Sequence, residues 1–291
     1  MGGRAVEGTG LENRRGGNSS VGSNPTPSAI PLHMSPTPLE RVLMAGHSQF
    51  KNIMHRKGAQ DIKRARTFAK LTREIIVAAK AGLPDPATNP RLRSALAAAR
   101  SANMPKDNID RAIKKVIGGE DNTIYDEVRY EGYGPGRIAV IVEGLTDNRN
   151  RTASEVRSIF SKHGGNLGET GGVAFQFERI GLIRFGRDKG FDTVFEAAVE
   201  AGADNVDDTE DAFEITCSMD NFAIVRDHVS NKLGDAIEAK VIWRPLNTLA
   251  CDIDTAKTLI KMIDTLEDND DIQNVYTNIE LSDDLAANLA D

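Results

Sequence analysis

Charge divides this chain into segments, and that division limits what it can fold into. Residues 44–120 carry 16 Lys and Arg against 6 Asp and Glu, a net +10, whereas residues 121–291 carry 16 against 34, a net −18. The first 43 residues contribute +1, so the overall −7 conceals the step. A single domain with an evenly mixed surface does not produce such an imbalance. A basic module joined to an acidic body is expected, its basic face meeting an anionic partner while the acidic remainder opposes indiscriminate binding. At 291 residues the chain has room for two or three domains.

Other classes are disfavoured by what the sequence lacks. No stretch approaches the roughly 18 to 20 apolar residues a membrane span needs. The two cysteines, Cys217 and Cys251, form no Cys-x-x-Cys pair, so a disulfide framework or zinc site is not expected and a reducing, cytoplasmic setting fits. Cys217 falls in a strand-like run and reads as a core residue rather than a nucleophile. The five histidines show no metal-ligand spacing, and the acidic runs Asp204–Asp211 and Glu267–Asp271 lack the spaced ligands and glycine of a calcium loop. We expect no enzyme activity, metal, cofactor or small-molecule substrate.

Residues 1–43 are rich in Gly, Ser and Pro without apolar periodicity, the composition of a disordered segment. Gly22-Ser23-Asn24-Pro25 is what a transfer-RNA T-arm sequence would encode if read as protein, so an upstream gene read through in frame is expected, with Met44 as the start. A natural tail and an Arg-containing targeting segment (Arg4, Arg14, Arg15, Arg41) are the alternatives.

Residues 44–120 read as three helices. Over Asp61 to Gly82, Ile62, Ala65, Ala69, Thr72, Ile76 and Ala79 recur at helical spacing, with Phe68, Leu71 and Ile75 widening the stripe. Lys63, Arg66, Lys70, Arg73 and Lys80 fall within about a 100° arc beside that stripe, with Glu74 the one acid among them. The arc is either a solvated charged face or a phosphate-binding face. Charge reversal at Lys63, Arg66, Lys70 and Arg73 is then expected to abolish binding and spare the fold. Asn89-Pro90 supplies a cap and a first-turn proline for a second helix. Arg91 and Arg93 sit in its first turn, where the helix dipole disfavours cations, so they meet either a bound anion or nearby acids. A third helix runs from Pro105 to Gly118-Gly119, with Ile109, Ala112, Ile113, Val116 and Ile117 inward.

Residues 121–291 alternate strand and helix. Tyr130–Arg137 contains the turn signal Gly134-Pro135-Gly136 between two strand-like runs. It reads as a hairpin, with a ligand contact through an exposed Tyr133 the alternative. Thr152-Ala-Ser-Glu155 fits a capping box, so a helix is expected from Thr152 to about His163, with Arg149 and Arg151 just before it. They pair with Asp147 or Glu143, or form a second anion contact. Residues 181–244 carry the full β-α-β-β-α-β order of a ferredoxin-like unit. The flanks supply two strands, a helix, a strand at Val173–Phe177, then a helix at Thr255–Leu266 and a strand near Asn274–Asn278. The expected fold is α+β: an N-terminal three-helix bundle followed by two ferredoxin-like α/β domains, the last inserted into the middle one. The expected boundaries are 1–43, 44–120, 121–180 plus 245–291, and 181–244.

From Met44 to about Asn278 the chain resembles the YebC family. The resemblance rests on Met44-Ala-Gly-His47, Asn52–Lys57, Phe68–Ile75, Asn89–Arg93, Asn103–Ile109, Tyr130–Gly136, Leu145–Thr152 and Gly164–Gly168. It implies three domains and no enzyme activity. Some members are described as DNA-binding transcriptional regulators. Others are ribosome-associated translation factors, including the mitochondrial translational activator of cytochrome c oxidase subunit I. Two departures stand out: Gln49-Phe50 where the family commonly has Lys-Trp, and Arg137 where it often has another Gly.

The function expected from these observations is a non-enzymatic regulator of gene expression, a DNA-binding transcriptional regulator. The alternative is a ribosome-associated translation factor binding ribosomal or transfer RNA. A third class, an acidic scaffold for basic proteins, uses the same charge step. The expected phosphate contacts are Lys51, Arg56, Lys57, Lys63, Arg64, Arg66, Lys70, Arg73, Lys80, Arg91, Arg93, Lys106, Arg149 and Arg151. Sparse aromatics in the basic domain argue against single-strand recognition by stacking there.

Overall fold

The computed structural model of the chain describes residues 60–119, 123–282 and 285. The expectations for residues 1–43, and for Lys51, Arg56 and Lys57, lie outside the described residues, as does the side chain of Lys63.

Helix α1 (Gln60–Ala81) packs against α2 (Pro90–Ser101) and α3 (Lys106–Ile117). Their shared core comprises Ile75, Ile76, Ala78, Ala79, Leu92, Ala95, Leu96, Ala99, Met104, Ile109 and Ala112. Phe68 and Leu71 pack at its edge, while Ala65 and Ala69 are exposed. The inner face therefore runs through Phe68, Leu71 and Ile75, rotated from the stripe predicted through Ala65 and Ala69. Asn89 ties the bundle together from a buried position: its Oδ1 accepts from Leu92 N at 3.0 Å, and its Nδ2 donates to Ala78 O at 2.8 Å. One side chain thus caps α2 and fixes it to α1.

The acidic region forms two four-stranded sheets. The first combines β1 (Asp126–Tyr133), β2 (Ala139–Thr146), β3 (Asn166–Leu167) and β8 (Ile272–Thr277) in the order β3-β1-β2-β8. Helices α4 (Arg149–Lys162) and α7 (Ile253–Glu267) cover one face through Val156, Phe160, Leu259, Met262 and Ile263. The second sheet holds β4 (Phe177–Gly186), β5 (Asn205–Asp208), β6 (Ala212–Ser218) and β7 (Glu238–Pro245) in the order β5-β6-β4-β7, all neighbours antiparallel. Helices α5 (Phe191–Ala201) and α6 (Phe222–Leu233) cover its outer face. The inner faces of the two sheets meet through Ala139, Ile141, Tyr276, Ile180, Leu182, Ile242 and Trp243. Phe177 and Pro245 are register partners, so the chain enters and leaves the second unit side by side.

Three local expectations change. The first sheet does not share the connectivity of the second: its central strands, β1 and β2, are joined directly by the Gly134–Arg137 turn, whereas a ferredoxin-like order separates its central strands by a helix and an edge strand. Helix α4 begins at Arg149, a turn earlier than Thr152, because the Asn148 side chain caps it by accepting from Arg151 N at 3.1 Å. The strand expected over Val173–Phe177 is instead a 3-10 turn at Ala174–Gln176, with β4 starting at Phe177. Buried Glu131 causes this last change. Its Oε2 accepts from Val173 N at 3.0 Å and Ala174 N at 2.9 Å, removing both donors from any strand ladder.

Candidate nucleic-acid interface

Three cations of α1, Arg66, Lys70 and Arg73, face the acidic body. Arg66 pairs with Asp268, Lys70 Nζ donates to Glu267 O at 2.7 Å, and Arg73 donates to Leu145 O, Asp270 O and Asp271 Oδ1 at 3.0, 2.6 and 2.9 Å. The receiving segment is the turn from α7 to β8, which reads in sequence as a solvated acidic run. Burial pulls the Lys70 ammonium below its usual pKa, and Glu267, Asp270 and Asp268 offset this only in part. Asp271 is the hub. Besides Arg73 it accepts from Arg151 at 2.7 Å, Thr152 at 2.7 Å and Thr146 at 3.1 Å. Burial pushes its carboxyl upward, but the hydrogen bonds from Arg151, Thr152 and Thr146 prevail and hold it below the usual range. Thr152, predicted as a cap, is therefore a buried partner of Asp271.

Five further predicted cations, Lys80, Arg91, Arg93, Arg149 and Arg151, also have protein partners. Arg91 joins Glu74 (2.7 Å) and Glu127 (2.6 Å), Arg93 lies 3.8 Å from Asp227, and Arg149 meets Asp126 at 3.0 Å. Arg151 also reaches Asp147 at 2.7 Å, and Lys80 donates to Thr123 O at 2.8 Å. Nearby acids thus answer the charge at both helix N-termini. Charge reversal at Arg66, Lys70 and Arg73 would place acid against acid, so that test disturbs the fold it was expected to spare.

Within the described part of the helical bundle, what remains open lies largely on α3. Lys106, Arg111, Lys114 and Lys115 are exposed and have no hydrogen bond or ion pair among the described residues. Arg64 is exposed on α1 and lies over the Phe68 ring at 5.4 Å. Of these five, Lys106 and Arg64 were expected from sequence. The other three were legible in principle, because with Ile109, Ala112, Ile113 and Val116 inward, a 100° step turns Arg111, Lys114 and Lys115 outward. Asp107 and Asp110 share the first turns of α3. They suit the helix dipole and would repel phosphate there, so the favourable part of this face is its C-terminal half.

Burial pushes the Cys217 thiol up to about 11, with Asp204 adding to the shift, so the residue has little thiolate for nucleophilic work at neutral pH. Alkylation of the folded protein followed by mass spectrometry is expected to label Cys251, which is partly exposed, well before the fully buried Cys217. Equal labelling would show that β6 opens readily. Among the described residues no group of three or more His, Cys, Asp or Glu is placed to hold a metal, and no helix is long and apolar enough to cross a membrane.

Known proteins match this arrangement. The model of the TACO1/YebC N-terminal domain matches residues 48–119, and that of the TACO1/YebC second and third domain matches residues 125–279. The crystal structure of a conserved hypothetical protein from Aquifex aeolicus is 44% identical, covers 76% of this chain and 92% of that chain, and has a TM-score of 0.68. With both the helical bundle and the paired sheets matched, the chain belongs to the TACO1/YebC family.

Proposed function

We propose that this protein is a non-enzymatic regulator of gene expression that grips the phosphate backbone of a nucleic acid through its helical domain. The observation that carries this is the solvent-facing set Arg111, Lys114 and Lys115 on α3, with Lys106 and Arg64, left unengaged while most other cations of the bundle meet acids or carbonyls of the protein. In this reading the chain comprises a helical domain at 44–120, an α/β domain at 121–180 plus 245–291, and an inserted α/β domain at 181–244. Lysine and arginine at phosphates position without reading bases, so duplex DNA at a promoter and folded ribosomal or transfer RNA are both chemically suited. The −18 of residues 121–291 favours RNA within a ribonucleoprotein, where basic proteins offset the repulsion that bare duplex would exert on that body.

Charge reversal of Lys106, Arg111, Lys114 and Lys115 together tests the reading against transfer RNA and duplex DNA in a salt series. The slope of log affinity against log salt is expected to fall by roughly one for each cation lost, with circular dichroism unchanged. An unaltered slope in the folded variant would remove α3 from the interface. Ultraviolet crosslinking in cells then separates the targets. Ribosomal or transfer RNA fragments mark a translation factor, and clustered promoter fragments mark a transcriptional regulator.

A further inference from the structure

The 3-10 turn at Ala174–Gln176 has a chemical consequence. As a strand, Val173, Phe175 and Phe177 would share one face. Val173 and Phe177 are buried at 1% and 5% exposure, whereas Phe175 is turned out at 70%. The device that turns it out is Glu131, whose side chain is fully buried, lies 3.0 Å from Arg129, and takes the N–H groups that open the turn. Its carboxyl stays below the usual range: burial opposes ionisation, but N–H donors of Gly171, Val173 and Ala174 outweigh it.

A second exposed ring is held by the residue that follows Phe175. Tyr133, exposed at the end of β1, accepts at its hydroxyl from Gln176 Nε2 at 3.1 Å. Gln176 Oε1 accepts in turn from Asn278 Nδ2 at 3.2 Å, and buried Asn278 accepts from Ala139 N at 2.8 Å. Glu131 thus fixes the backbone that turns Phe175 out, and the chain Asn278–Gln176 holds the Tyr133 hydroxyl. Four residues after Tyr133, in the same turn, stands Arg137, exposed and without a hydrogen bond or ion pair among the described residues. Its φ of 61° is a conformation that only glycine adopts freely.

We propose that Phe175 and Tyr133, with Arg137 at their rim, form a stacking site for the unpaired bases of a single-stranded RNA. Tyr133, held through its hydroxyl, loses little freedom on binding, every base offers a π-face to either ring, and a neighbouring guanidinium meets the phosphate or stacks itself. The site rests on the nucleic-acid reading above and deepens it: α3 holds backbone, and the open end of the two sheets holds bases.

The test uses the full chain, a labelled short oligouridylate and an RNA duplex of equal length. Phe175→Ala is expected to weaken oligouridylate binding by about ten-fold and to leave duplex binding unchanged. Phe175→Trp should restore affinity, and its fluorescence should be quenched by the oligonucleotide. The signal is clean because the one native tryptophan, Trp243, is buried. Equal oligouridylate affinity for wild type and Phe175→Ala would overturn the stacking site while leaving the α3 interface standing. So would an equal loss for both probes, or quenching by an apolar peptide and not by RNA. If the wild type binds neither probe, the nucleic-acid reading itself fails.

Discussion

Asp271→Ala is expected to lower the unfolding free energy by about 3 kcal/mol, near the low end for removing one partner from a buried ion pair. The side chain is 5% exposed and receives Arg73, Arg151, Thr146 and Thr152, so its loss removes the one carboxylate that two guanidinium groups and two hydroxyls share. Solvent reaching Arg151 keeps the cost from being larger. Urea denaturation at neutral pH measures the difference, and a change below about 1 kcal/mol would show that the hub contributes no more than a surface pair. The pH dependence has a definite sign. Because the folded carboxyl titrates below its ordinary value, its stabilisation is complete above the unfolded pKa of about 3.9 and disappears as pH falls through the folded value. Acid titration of the variant should lack that component.

Glu131→Ala is expected to cost about 3–5 kcal/mol. It leaves the N–H groups of Val173 and Ala174 without acceptors in the gap between the sheets, and leaves Arg129, stacked 5.1 Å over Trp243, without its carboxylate. Glu131→Gln should cost less, since one acceptor oxygen survives. Thermal unfolding gives the size of the effect. Amide exchange gives its place: exchange at residues 173 and 174 should accelerate in both variants, and unchanged protection there would mean that the turn does not depend on Glu131.

Much of the architecture could be read before any coordinates. Asn89-Pro90 announced the start of α2 because capping is a local matter, and the run from Pro105 to Gly118-Gly119 framed α3 because apolar spacing and a following glycine decide it within one element. The site was harder for a physical reason. Arg66, Lys70 and Arg73 resemble a free basic face when only their own helix is considered, and their partners lie about 200 residues away. Helical periodicity sorts side chains by direction but does not say whether solvent or another domain waits there. The same blindness hid Phe175. Alternation in Val173-Ala-Phe-Gln-Phe177 reads as a strand, and the carboxylate that breaks it comes from β1, some 40 residues earlier.

The order of synthesis gives the α1 contacts a history. Glu267–Asp271 is synthesised about 200 residues after Arg66, Lys70 and Arg73, and β8, which completes the first sheet beside β2, is the last strand among the described residues. Until that segment is made, Arg66, Lys70 and Arg73 lack the acceptors it supplies in the folded chain. The turn from α7 to β8 therefore does more than lead into a sheet: it engages three cations of α1, while Arg111, Lys114 and Lys115 of α3 stay turned to solvent.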